Sequence, residues 1–158
     1  MSNDKNQIMI EFLMTCPIIQ TNPLFFNFAE GEDGHNHFIT ETDKATKKPY
    51  VDGSQLKEYT FTFASYKSVS YNAVVVGERD ENIEEMANVQ SILDWIEEQN
   101  EAKNFPNFGE DVIVEEMKPL TTDPEFDGID TSVNPPVVRY SIGVVITYLD
   151  NTKKLWNN

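Results

Sequence analysis

The chain is predicted to fold as an α+β domain with a single mostly antiparallel β-sheet and two helices packed on one face. Three observations carry this prediction. Residues 81–102 place apolar side chains at helical spacing. Residues 56–66 and 137–149 alternate apolar and polar side chains with the period of a half-buried strand. The elements also run helix, strands, helix, strands, with turn residues between neighbouring strands.

The first helix is expected over 3–15, where Ser2, Asn3 and Asp4 offer capping side chains and Ile8, Met9, Phe12 and Leu13 form one stripe. Pro17 ends it, and Pro23 opens a Phe-rich strand over 24–30. Gly31 and Gly34, set among acidic residues, mark a turn. A short strand follows over 38–42, then the basic cluster Lys44, Lys47 and Lys48. Asp52-Gly53 signals a turn into the strand 56–66, where Tyr59, Phe61 and Phe63 alternate with Glu58, Thr60 and Thr62. Residues 69–76 are apolar enough to lengthen that strand. The long helix 81–102 is expected to bury Ile83, Met86, Ala87, Val89, Gln90, Leu93 and Ile96. A strand over 112–117 precedes an acidic, proline-containing segment, 121–136, which reads as a flexible loop. In the last strand Val138, Tyr140, Ile142, Val144, Ile146 and Tyr148 face one way, and a short polar tail follows.

With 158 residues the chain is expected to form one domain with a real core. An apolar content of 39%, including 10 Phe and 6 Tyr, argues against disorder. Twelve basic against 27 acidic residues give a net charge of −15, which repels phosphate backbones and anionic lipid surfaces. Neither nucleic acid nor membrane is therefore expected as a partner. The single cysteine, Cys16, cannot form an intramolecular disulfide and reads as a small buried hydrophobe. With no run of 18 apolar residues and no secretory leader pattern, the cytoplasm is the expected place of synthesis.

Candidate chemistry is sparse. His35 and His37 lie two apart near acidic residues, but zinc sites usually take three or four such ligands, so the pair reads as exposed histidines in a polar turn. Asp123, Asp127 and Asp130 lack the ligand spacing of a calcium loop. No G-x-S-x-G elbow and no glycine-rich phosphate loop is present. The expectation is thus no catalytic residue, no metal and no cofactor. The aromatics point instead to association. Phe25 and Phe26 alternate in one short strand, so one of them faces away from the core, and Trp156 sits in a polar tail. The candidate interface residues are Phe25, Phe26, His35, His37, Asp123, Asp127, Asp130 and Trp156.

Three blocks add a resemblance. The stretch from Ser91 to Glu110 carries Trp95-Ile96-Glu97-Glu98-Gln99-Asn100 and then the helix-stopping Asn104-Phe105-Pro106. Tyr50-Val51-Asp52-Gly53-Ser54 leads into a strand with Phe61 and Phe63. Arg139-Tyr140-Ser141-Ile142 leads into Val144 through Tyr148. Together these resemble the small tail terminator, or minor capsid, proteins of siphophages and prophages of Gram-positive bacteria. The resemblance implies a structural protein of the virion tail, assembled in the host cytoplasm. It implies a ring of copies of itself, commonly a hexamer, that caps the head-proximal end of the tail tube. Its partners would be the major tail tube protein and the head-completion or connector proteins. The segments 30–48 and 123–136 are longer than the family pattern and are candidate contact loops. A competing reading from charge alone is an acidic monomeric inhibitor, or DNA mimic, that occupies a basic site on a nucleic-acid enzyme. Its carboxylates would then form duplex-like rows, whereas here they are spread over turns and helix faces.

Overall fold

The architecture was obtained as a computed structural model, which describes residues 5–19, 24–26, 35–40, 48–68, 81–132 and 136–155. In chain order the elements are α1 (Lys5–Leu13), β1 (Leu24–Phe26), β2 (Asn36–Thr40), β3 (Lys48–Pro49), β4 (Gln55–Ser68), α2 (Glu81–Glu101), β5 (Val112–Pro119), β6 (Glu125–Asp130) and β7 (Val137–Asp150). The fold is α+β, as the periodicities predict.

Two 14-residue strands organise the sheet. β4 and β7 pair antiparallel from Gln55↔Asp150 to Ser68↔Val137. Each therefore spans about 45 Å at ~3.3 Å per residue. On the outer side of β4 lie β2, paired from Asn36↔Ser65 to Thr40↔Phe61, and β3, paired at Leu56 and Gln55. On the outer side of β7, β5 covers 144–150 and β6 covers 137–141. β1 adds to β2 in parallel, against antiparallel pairing elsewhere among the described strands.

One face of this sheet is the core. Tyr59, Phe61 and Phe63 of β4 and Tyr140, Ile142, Val144, Ile146 and Tyr148 of β7 are all buried there, as the alternation predicts. Both helices cover this face. Met9 and Leu13 of α1 are fully buried, and Phe12 meets Trp95 of α2 with ring centroids 5.3 Å apart. The Tyr59 hydroxyl donates to Asn6 Oδ1 at 2.6 Å, which ties α1 to β4. Cys16 is buried beside α1, and that burial pushes its thiol pKa up.

α2 corrects the expected buried face. Val89, Ile92, Leu93 and Ile96 are buried, while Ile83 is 60% exposed and Ala87 is exposed too. Ile83 precedes Ile92 by nine residues, about two and a half helical turns, so the two lie on opposite sides. The helix ends before the proline signal. Lys103 adopts a left-handed conformation (φ 55°); its amide donates to the Asn100 carbonyl at 3.1 Å, and Asn104 donates to the Gln99 carbonyl at 2.9 Å. This is a Schellman cap, and Pro106 lies beyond it.

The segment 121–136 is also corrected. It contains β6, which pairs along β7 through a register shift between Phe126 and Ile129. Gly128 supplies a φ of 107° inside the shift. The aspartates that made the segment read as a loop face solvent while its backbone joins the sheet. The expected turn at 30–34, the basic residues Lys44 and Lys47 and the extension over 69–76 lie outside the described residues.

Candidate interaction surface

The eight residues singled out in the sequence do not form one site. Phe25 and Phe26 pair through their backbones with His37 and Phe38, which places β1 outermost on the β4 side; their side chains lie outside the described part. His35 and His37 sit on the face away from the helices. His37 stacks on Tyr66 with ring centroids 6.5 Å apart, and the His35 carbonyl accepts the Tyr66 amide at 2.9 Å. Trp156 lies outside the described residues.

Asp123, Asp127 and Asp130 belong to the opposite edge of the sheet. Asp123 is exposed in the link between β5 and β6, where its carbonyl accepts the Thr121 hydroxyl at 2.7 Å. Asp127 faces Arg139 across the β6–β7 pairing at 3.5 Å. Asp130 folds its carboxylate back onto Ser132, accepting the backbone amide at 2.9 Å and the hydroxyl at 2.5 Å. Those two bonds lower its pKa. Asp130 is thus a turn former first. The histidines and aspartates meet only as a line across the outer face: Tyr66, beside His35, pairs in register with Arg139, which faces Asp127. Among the described residues no three His, Cys, Asp or Glu side chains gather as metal ligands. Among the described residues no helix is long and apolar enough to cross a membrane.

Sequence reading missed the apolar side chains of the β5–β6 edge. Ile113, Leu120, Phe126 and Ile129 are 53%, 58%, 56% and 47% exposed. Ile113 alternates with the core-facing Val112 and Val114, so its strand carries apolar groups on both faces. Leu120 leans over Gly143, where a Cβ would come within 2.8 Å of its Cδ1. Phe126 packs edge-on against Tyr140 with centroids 5.8 Å apart. The signal that would have found them is the pair Phe126 and Ile129 inside a segment otherwise rich in turn formers. Around these groups the edge is acidic: Glu110, Asp111, Glu115, Glu116, Asp123, Glu125 and Asp130 are all exposed. Lys118 of β5 is exposed among them, and on the β4 side Lys48 of β3 is exposed.

No protein-family model matches this chain, and no curated protein matches it significantly.

Proposed function

We propose that this chain is a structural subunit that assembles into a ring of the tail-terminator type, capping the head-proximal end of a siphophage tail tube and presenting the surface that joins the head. The observation that carries the reading is the β5–β6 edge, where four large apolar side chains, three on the two strands and Leu120 in the link between them, are exposed in an acidic setting. Phe126 and Ile129 lie on the face of Tyr140 and Val138, and Ile113 and Leu120 on the other, so this edge offers apolar contact on both faces of the sheet, as an association surface can. A ring needs a heterologous contact, in which one surface of a subunit meets a different surface of its neighbour. The two sheet edges differ: beyond β7 the edge is predominantly acidic with exposed apolar groups, and beyond β4 it is formed by β1, β2 and β3. Two copies meeting through the same acidic edge would instead repel. The resemblance of the blocks around Asp52, Trp95 and Tyr140 supplies the identity of the ring and its partners, the tail tube protein and the head-completion proteins. On this reading the chain has no catalytic role, and a surface of net charge −15 lets DNA pass without counterion-releasing contacts.

The test is assembly. Light scattering after size exclusion is expected to find larger species at moderate salt than at very low salt, because screening relieves repulsion between acidic subunits. Phe126→Asp with Ile129→Asp is expected to abolish those species while leaving a folded monomer. A deletion strain should make tails of abnormal length that fail to join heads. Normal tails and infectious particles from that strain would refute the proposal. A monomer that binds a basic nucleic-acid enzyme would favour the inhibitor reading instead.

A further inference from the structure

Along most of the core face the sheet is apolar, but at one end the inward positions change character. Asn36 of β2 and Ser65 of β4 are register partners, and both are buried, at 4% and 6% exposure. They form part of the lining of a cleft of about 290 Å³. Glu85 and Asn88, from the first turns of α2, line it as well. The Ser65 hydroxyl donates to Glu85 Oε1 at 2.7 Å. Among the described residues no hydrogen bond holds the Asn36 side chain. The remaining lining is aliphatic: Pro17 and Ile18 from the turn after α1, with Val89 and Ile92 from α2.

We propose that this cleft binds one cationic side chain, a guanidinium or ammonium on an aliphatic stem, contributed by a partner protein. The chemistry follows from the lining. Among the described residues Glu85 is its one formally charged group, and neither lysine nor arginine is among them in the lining. A carboxylate drawn into a recess and given a single neutral donor is better satisfied by a charge-assisted partner than by a hydroxyl alone. The Asn36 and Asn88 amide oxygens add acceptors for the further N–H groups of a guanidinium. Pro17, Ile18, Val89 and Ile92 provide the apolar contact that a lysine or arginine stem takes while its charged head stays solvated or paired. The volume lies just below the range of sites for drug-sized ligands and suits a single side chain. The charge of −15 concentrates basic partners near the surface. The cleft does not involve the exposed side chains of the β5–β6 edge, so it stands or falls independently of ring assembly.

The test uses N-acetyl-arginine methylamide as probe on the full isotopically labelled chain. Saturable NMR shifts are expected for the Asn36 and Asn88 side-chain amides and for Ser65. N-acetyl-norleucine methylamide, which keeps a stem and lacks the charge, should shift none of them. Glu85→Gln retains the shape and an acceptor for Ser65, and is expected to weaken the probe about tenfold or more through loss of the charge-assisted bond. Glu97→Gln, on the exposed side of α2, should leave binding unchanged and controls for general attraction to an acidic surface. Equal shifts with the neutral probe, shifts spread over the whole surface and insensitive to Glu85→Gln, or no shifts at all would each overturn the proposal. Spermidine forms a separate arm: binding of spermidine without binding of the arginine probe would assign the cleft to a free polyamine and overturn the side-chain assignment.

Discussion

Asn100 Oδ1 accepts the backbone amide of Met117 at 2.8 Å, so the last turn of α2 supplies a partner to the outermost strand of the sheet. The bond lies beside the register shift between Val114 and Glu116 in β5. Bulges and plugged amides are two ways in which a sheet edge is kept from pairing indiscriminately. Here both occur on one short stretch, which leaves the exposed side chains of the edge, more than its backbone, to define what docks there.

Asn100→Ala removes the acceptor and leaves a donor at a fully buried residue unsatisfied. The expected cost is about 1–3 kcal/mol in urea unfolding. Asn107→Ala is the control, because its carboxamide accepts the Gly109 amide at 3.0 Å in an exposed turn where water can substitute. That variant should stay within about 0.5 kcal/mol of the parent. Equal effects of the two would mean that the Asn100 bond contributes nothing specific.

The same comparison of near and far faces applies to α2. Leu93 is fully buried and Ile83 is 60% exposed. Leu93→Ala is expected to cost about 2–5 kcal/mol through lost burial and a cavity. Ile83→Ala should shift stability by no more than about 0.5 kcal/mol. A substantial loss from Ile83→Ala would place that residue against a surface outside the described residues.

Ile83 also shows where sequence periodicity runs out. The strands were legible because a period of two drifts little: Tyr59 through Phe63 and Val138 through Tyr148 keep their faces over their full length. At about 100° per residue the expected set from Ile83 to Ile96 spans too wide an arc for one buried face, and Ile83 falls about 140° from Ile96. β6 was illegible for a different reason. Asp, Pro and Gly read as turn formers, yet Asp127 faces Arg139 on the neighbouring strand and Gly128 sits in a bulge. The interface candidates fared likewise. Aromatic and acidic residues marked both sheet edges, but Asp130 is occupied by Ser132, and the exposed Ile113 and Leu120 had no local signature to distinguish them from core.

Gly53 and Gly128 both have positive φ, 90° and 107°, but only one of them is crowded. A Cβ on Gly53 would collide with the Lys153 carbonyl oxygen, because the chain after β7 folds back on this turn and Leu155 donates to the Asp52 carbonyl at 2.5 Å. Around Gly128 nothing lies within 4 Å. Gly128→Ala should therefore cost about 1–2 kcal/mol, the backbone penalty alone. Gly53→Ala should cost about 2–5 kcal/mol, since overpacking against a carbonyl is added to that penalty. Thermal unfolding of both variants gives the ranking; the reverse order would mean that the tail after β7 detaches at little cost.

Asp150 gives stability an acid limit. Burial works to raise its pKa, but the Lys57 ammonium at 2.8 Å and the Thr152 hydroxyl and amide at 2.6 and 2.9 Å bind the charged form and hold it at about 2. In the unfolded chain the group titrates near the ordinary aspartate value of about 3.9. A depressed folded pKa stabilises the fold fully above the unfolded value, and the contribution is lost as pH falls toward the folded one. The difference corresponds to roughly 2 kcal/mol, present above about pH 5 and fading between about pH 4 and 2. Asp150→Asn should accordingly be destabilised by about that amount at pH 6, and the gap to the parent should narrow as the pH is lowered through this window. Urea midpoints measured for both proteins at several pH values test it. A gap that stays constant with pH would assign the effect of Asp150 to turn geometry with Thr152, and would leave the Lys57 pair without a measurable charge contribution.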